Sequence, residues 1–90
     1  MIAHQVRFHT LQPGQETGWH HHEAPLFAYV MQGAVTVDYG DDGTRTYEAG
    51  EAIIEAIGTS HNGMTDGDAQ VRIMVVNLGA AGVANTVSDE

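Results

Sequence analysis

Three consecutive histidines, His20-His21-His22, make up half of the six in the chain. They stand between a turn-like segment, Pro13 to Gly18, and an apolar run, Leu26 to Met31. If the histidines begin the strand that this run forms, His20 and His22 share one face and His21 takes the other, because β side chains alternate with period two. Two imidazoles on one face can chelate a metal, but they need further donors. His61, in Gly58-Thr59-Ser60-His61-Asn62, is the candidate third; it follows a second apolar run, Ala52 to Ala56. The plainer alternative is an exposed loop that binds nothing. The run is internal, unlike a terminal purification tag.

The elements that must position these groups are β-strands. Ala3 to Leu11 alternates roughly, Val6 and Phe8 against Arg7 and His9, and reads as a first strand; His4 and His9 are expected to be structural or exposed. Leu26 to Met31 reads as a buried strand. Val35 to Tyr39 follows, then Gly40-Asp41-Asp42-Gly43, a hairpin signal of the primed-turn kind. Thr44 to Tyr47 pairs back across it. Ala52 to Ala56 leads through a short loop to His61. Ala69 to Leu78 is a long last strand, with Val71, Ile73 and Val75 on one face and Arg72, Met74 and Val76 on the other. The tail from Gly79 to Glu90 is expected to be a loosely docked arm or disordered. Nothing has helical period over a useful length. Short strands separated by Gly-rich turns predict an all-β antiparallel sandwich or barrel, one domain over residues 1–90.

Composition narrows the function. The formal net charge is −9, with no lysine and only Arg7, Arg45 and Arg72 as fixed cations. That argues against nucleic-acid and anionic-membrane partners, which need clustered positive charge. Without cysteine there is no disulfide, thiolate nucleophile or thiolate-bound metal. No run approaches the length of a membrane span, and Met1-Ile2-Ala3-His4 does not read as a signal peptide. The expected location is cytoplasmic for the chain as it stands, a cleaved signal in a longer precursor remaining open. Ser60 adjoins His61, but neighbouring strand side chains point apart, so no nucleophile triad is expected.

These residues resemble the cupins, whose two motifs lie on strands of a small β-barrel, the jelly-roll-like double-stranded β-helix. The first motif is matched by Gly14, five residues, His20-His21-His22, three residues, Leu26, six residues and Gly33. The second is matched by Gly50, five residues, Ala56-Ile57-Gly58, two residues, His61, three residues and Thr65. Three departures stand out: Leu26 replaces the family's glutamate ligand, Ala56 its proline and Thr65 its asparagine. The chain is therefore similar to the cupins with a bare three-His site, among them the diketone-cleaving dioxygenases. The resemblance implies one divalent transition metal on His20, His22 and His61. Three imidazoles suit Fe, Mn, Ni, Cu, Co or Zn, and spacing does not choose among them. It also implies that Glu55 lies near the metal as an outer-sphere, candidate catalytic group; Glu23 is a rival as a direct fourth ligand.

Without a carboxylate ligand the metal would keep its full charge and favour an anionic bidentate ligand such as an enolate or carboxylate. The expected function is a metal-binding small cupin, a dioxygenase or related metalloenzyme acting on a small oxygen-rich or enolisable compound. The alternative is a binding or sensing module without turnover. Trp19, Phe27, Tyr29, Met31 and Met64 are candidate cavity residues, core packing being the plainer reading for Phe27, Tyr29 and Met31. Arg72 is expected on the surface rather than at the substrate. A homodimer is expected, since small cupins are commonly dimers and the last strand is apolar on both faces.

Overall fold

The computed structural model of the chain describes residues 2–22, 25–55, 58–65, 68–80 and 86–90. Its strands are β1 (Ile2–Leu11), β2 (His20–His21), β3 (Leu26–Gln32), β4 (Ala34–Asp38), β5 (Thr44–Glu48), β6 (Ala52–Glu55), β7 (Asn62–Thr65), β8 (Val71–Ala80) and β9 (Val87–Ser88). All pairing is antiparallel. A four-stranded sheet has the order β1-β8-β3-β6, a three-stranded sheet the order β5-β4-β7, and β2 pairs with β9. The fold is all-β, as the strand pattern predicts.

One core joins the two larger sheets. Leu11, Leu26, Ala28, Val30, Ile53, Val71, Ile73 and Val75 come from the four-stranded sheet, and Val35, Val37 and Tyr47 from the three-stranded one. The phase of the alternation decides which residues enter it. In β3, Leu26, Ala28 and Val30 are buried, whereas Phe27, Tyr29 and Met31 are exposed. The strand is thus buried on one face only, and those three residues line neither core nor cavity. In β1 the inward phase is set by Leu11, so Val6 and Phe8 point outward.

The sheets are tied where β3 turns into β4 and β5 into β6. Ala49 N–H donates to the Gly33 carbonyl and Gly50 N–H to that of Val30, at 3.0 and 2.8 Å. Gly33 is required there: its φ is +78°, and a Cβ would lie 2.5 Å from the Gln70 carbonyl oxygen.

Two local expectations are corrected. The β4–β5 connection is not a two-residue primed turn but a 3-10 turn over Gly40–Asp42, with positive φ at Gly40 and Gly43. Among the described residues no non-glycine has positive φ, so Asp41 and Asp42 keep ordinary backbone while the glycines on either side reverse the chain. The second correction is β7, a strand where none is expected. Asn62-Gly63-Met64-Thr65 has weak β propensity, but it pairs with β4 from Val35↔Thr65 to Asp38↔Asn62, and tertiary pairing overrides propensity. The last strand also runs further than expected, through Gly79 and Ala80. Beyond it, Val87 and Ser88 pair with His21 and His20.

Candidate metal centre

His20, His22 and His61 converge. One ring nitrogen from each lies within 4.8 Å of the others. The ring centroids are 5.1 Å apart for His20–His22, 4.3 Å for His20–His61 and 5.0 Å for His22–His61.

Backbone pairing produces this convergence. His20 and His61 form an isolated antiparallel bridge and exchange both hydrogen bonds, His20 N to His61 O at 2.9 Å and His61 N to His20 O at 2.8 Å. Directly opposed residues put their side chains on one face. His22 is fixed from the same loop, its carbonyl accepting from Gly58 N–H at 2.8 Å. The segment leading in is held by β7: Thr17 N–H donates to Gly63 O at 2.8 Å, and Gly63 N–H to Thr17 Oγ1 at 2.9 Å. Buried Asn62 clamps the turn, accepting from Gly18 N–H at 3.0 Å and donating to Glu16 Oε1 at 2.6 Å.

The hydrogen bonds also set the tautomers. His20 Nδ1 lies 2.7 Å from the Gly18 carbonyl and His61 Nδ1 2.9 Å from that of Thr59. A carbonyl only accepts, so both Nδ1 atoms carry the proton and Nε2 keeps the lone pair. His22 Nδ1 sits 3.2 Å from the Thr86 hydroxyl. His22 and His61 are buried, and desolvation lowers the pKa of His61 despite opposing contributions from the Thr59 bond and Asp89. Three converging imidazoles, two of them with Nδ1–H bound to a carbonyl and the Nε2 lone pair left over, are a donor set a divalent transition metal takes, so the cluster fits such an ion.

A cavity of about 320 Å³ opens onto the cluster. Its floor is apolar, with Leu26, Ala28, Val35, Val37, Ile53 and Val75; its polar lining includes Arg7, His9 and Thr86. Trp19 is part of the wall, as its place before the histidines suggests, but Met64 is not. His21 points elsewhere, its Nδ1 2.8 Å from Asp89 Oδ1. Asp89 also accepts from Ser60 at 2.7 Å, and that bond leads the effects holding its carboxyl below the usual carboxylate range. Ser60 thus serves the C-terminal segment. Arg72 is exposed, as expected.

Leu26, at the family's glutamate position, is buried and lines the cavity. In register, Leu26 lies between Asn77 of β8 and Glu55 of β6. Glu23, Ala56 and the side chain of Glu55 lie outside the described residues. Four site features escape sequence reasoning: Arg7, His9, Thr86, and Tyr39, whose ring lies 5.9 Å from that of His61. For Arg7 and His9 the signal was there, since they share the phase of Leu11. For Thr86 there was none, because its position depends on how the tail returns.

Two antiparallel sheets around a cavity headed by three histidines define a small all-β domain of the double-stranded β-helix type. The family model for the cupin domain matches residues 7–77, and the chain belongs to that family. Solved structures agree. A cupin-2 domain protein from Shewanella frigidimarina is 24% identical with a TM-score of 0.72, over 83% of this chain and 70% of that one. The polyketide cyclase RemF from Streptomyces resistomycificus is 27% identical, TM-score 0.78, over 91% and 59%. A Lactobacillus farciminis oxalate decarboxylase in complex with formate is 20% identical, TM-score 0.80, over 96% of this chain but 26% of that one. No curated protein matches the sequence.

Proposed function

We propose that this chain is a metal-dependent cupin whose His20, His22 and His61 hold one divalent transition metal and whose cavity takes a small oxygen-rich or enolisable molecule. The observation that carries the reading is the convergence of three imidazoles, two with Nδ1 bound to a carbonyl. A metal held there supplies Lewis acidity and, if redox-active, the electron transfer that dioxygen chemistry needs. The chain's own residues do the rest. The Gly18 and Thr59 carbonyls and the Thr86 hydroxyl orient the rings, and the apolar floor keeps water from the ligand. Glu55 is the candidate acid/base. Its register row contains Leu26 and Asn77, both buried, and the Asn77 amide nitrogen has no hydrogen-bond partner among the described residues.

The test is elemental analysis of protein purified without a nickel column. About one metal per chain, absent from His20→Ala/His61→Ala, supports the site; no metal in the wild type overturns it. Dioxygen uptake with small enolisable acids and diketones separates a dioxygenase from a module that only binds or senses. In the enzyme, Glu55→Gln lowers turnover about a hundredfold or more with metal content unchanged.

A homodimer belongs to the same proposal. Its support is the outward face of the four-stranded sheet, where two register rows run Val6–Val76–Phe27–Ile54 and Phe8–Met74–Tyr29–Ala52. Ile54 is 83% and Phe8 61% exposed. The described outward positions of these strands carry no acid in a chain of net charge −9. An apolar face of this extent, with Arg72 at its end and no described acid, suits a second copy of the same chain.

A further inference from the structure

We propose that Arg7 is the anion-docking residue of the cavity and that the ligand is a small carboxylate, its carboxyl group on the Arg7 guanidinium and its remaining oxygens toward the three histidines. This rests on the metal-dependent reading above and names its substrate class.

Two independent observations put Arg7 on the cavity side. It lines the cavity, and it shares the inward phase of β1 with buried Leu11, while Val6 and Phe8 between them face outward. Its register row continues through Val75, Ala28 and Ile53, all three of which line the same cavity. The row is thus apolar except at its β1 end, where a single guanidinium stands. Arg7 remains exposed, so it is a charge at the rim that an entering ligand can reach.

Among the described residues Arg7 has no counter-ion, and that is the informative feature. The chain has twelve acidic residues and three arginines. Arg45 lies over the Tyr47 ring at 5.1 Å, and Arg72 is exposed on the outward face. Among the described residues no carboxylate comes within the 4.0 Å of an ion pair with Arg7. Glu90, the carboxylate that also lines the cavity, packs instead against Gly18, where a Cβ would meet its Oε1 at 2.6 Å. A molecule of charge −9 repels anions at a distance, so a cavity that admits one needs a local cation. A guanidinium offers a planar fork that a carboxylate fills bidentately. The cavity, about 320 Å³, lies at the small end of ligand pockets and suits a short acid.

The test is calorimetric titration of the cobalt(II)-loaded full chain with malonate, inorganic phosphate and acetylacetone, in wild type, Arg7→Met and Arg7→Lys. Arg7→Met is expected to weaken malonate binding about ten- to hundredfold, Arg7→Lys less. Acetylacetone, which has no carboxylate, should bind all three alike, and cobalt stoichiometry should not change. Equal malonate affinity in wild type and Arg7→Met overturns the proposal. Phosphate bound more tightly than malonate, with the same loss in Arg7→Met, overturns the carboxylate assignment. If the wild type takes up no cobalt, the metal reading fails. Malonate titration of that metal-free protein still decides on Arg7, a loss in Arg7→Met sustaining its role and no loss ending it.

Discussion

His20 and His61 face each other as a hydrogen-bonded antiparallel pair, exchanging backbone bonds of 2.9 and 2.8 Å, and their rings stand 4.3 Å apart. They are forty-one positions apart (61 − 20 = 41), yet they behave as one two-residue unit of sheet. Such a pair leaves little freedom in where the imidazoles point, and each Nδ1–H is bound to a carbonyl two residues earlier in its own chain. Much of the cost of ordering the two rings is therefore met on folding.

The third histidine is supported differently, and that yields a prediction. His22 Nδ1 leans on a side chain, the Thr86 hydroxyl at 3.2 Å, which can be removed without touching the backbone. Thr86→Val should weaken metal affinity about tenfold, the lower end of the range for outer-shell partners, because the bond is long and only part-buried. Competition against a chromogenic chelator measures it. Equal affinity in the two proteins would show that His22 is held in place by its backbone alone.

Acid should weaken the fold as well as the site. Desolvation lowers the His61 pKa from its ordinary value of 6.5, so the folded chain takes up that proton less readily than the unfolded one. The resulting stability is complete above about pH 6.5 and is lost as pH falls through the folded value. Urea unfolding of metal-free protein should give a lower midpoint at about pH 5.5 than at about pH 7.5, with the slope unchanged. His61→Gln should shrink the difference. Metal should also be released over this range, since protons compete for the ring nitrogens.

The outward sheet face predicts its own disruption. Ile54→Glu or Phe8→Glu puts a carboxylate into one of the two apolar rows. Both side chains are largely exposed, so neither change opens a cavity. Sedimentation equilibrium at micromolar concentration should find the wild type dimeric and both variants monomeric with unaltered metal content. A wild type that sediments as a monomer ends the proposal.

The convergence of the three histidines was readable because it is written in spacing: His20, His22 and His61 lie in or beside short strands, and period two decides which share a face. The sheet as a whole was readable for the same reason. Phase was harder. Val6-Arg7-Phe8-His9 alternates in either sense, and hydrophobicity favours putting Val6 and Phe8 inside. The structure does the opposite because Leu11 anchors the core, and that inversion both exposes the apolar face and turns Arg7 toward the cavity. β7 was illegible for another reason. Gly63 has no β propensity of its own; it is needed because a Cβ there would press to 3.2 Å on Thr17 Cγ2, a contact between segments far apart in sequence. The return of Thr86 to His22 depends on tertiary docking and left no local trace.

Leu26 offers the most discriminating substitution, since it stands where the family places a carboxylate ligand. It is 6% exposed, part of the core and part of the cavity wall. In metal-free protein, Leu26→Glu should cost about 2–5 kcal/mol, because it removes buried apolar volume and leaves a carboxyl group in its place. With metal bound, the same carboxylate gains a cation, and much of that loss should be recovered. Thermal melts of wild type and Leu26→Glu, each with and without one equivalent of cobalt(II), test the idea: the metal-induced rise in Tm should be larger in the variant. An equal rise would mean that position 26 is out of reach of the ion. The leucine would then be a core residue with no bearing on coordination, rather than the substitution that leaves three imidazoles to hold the metal alone.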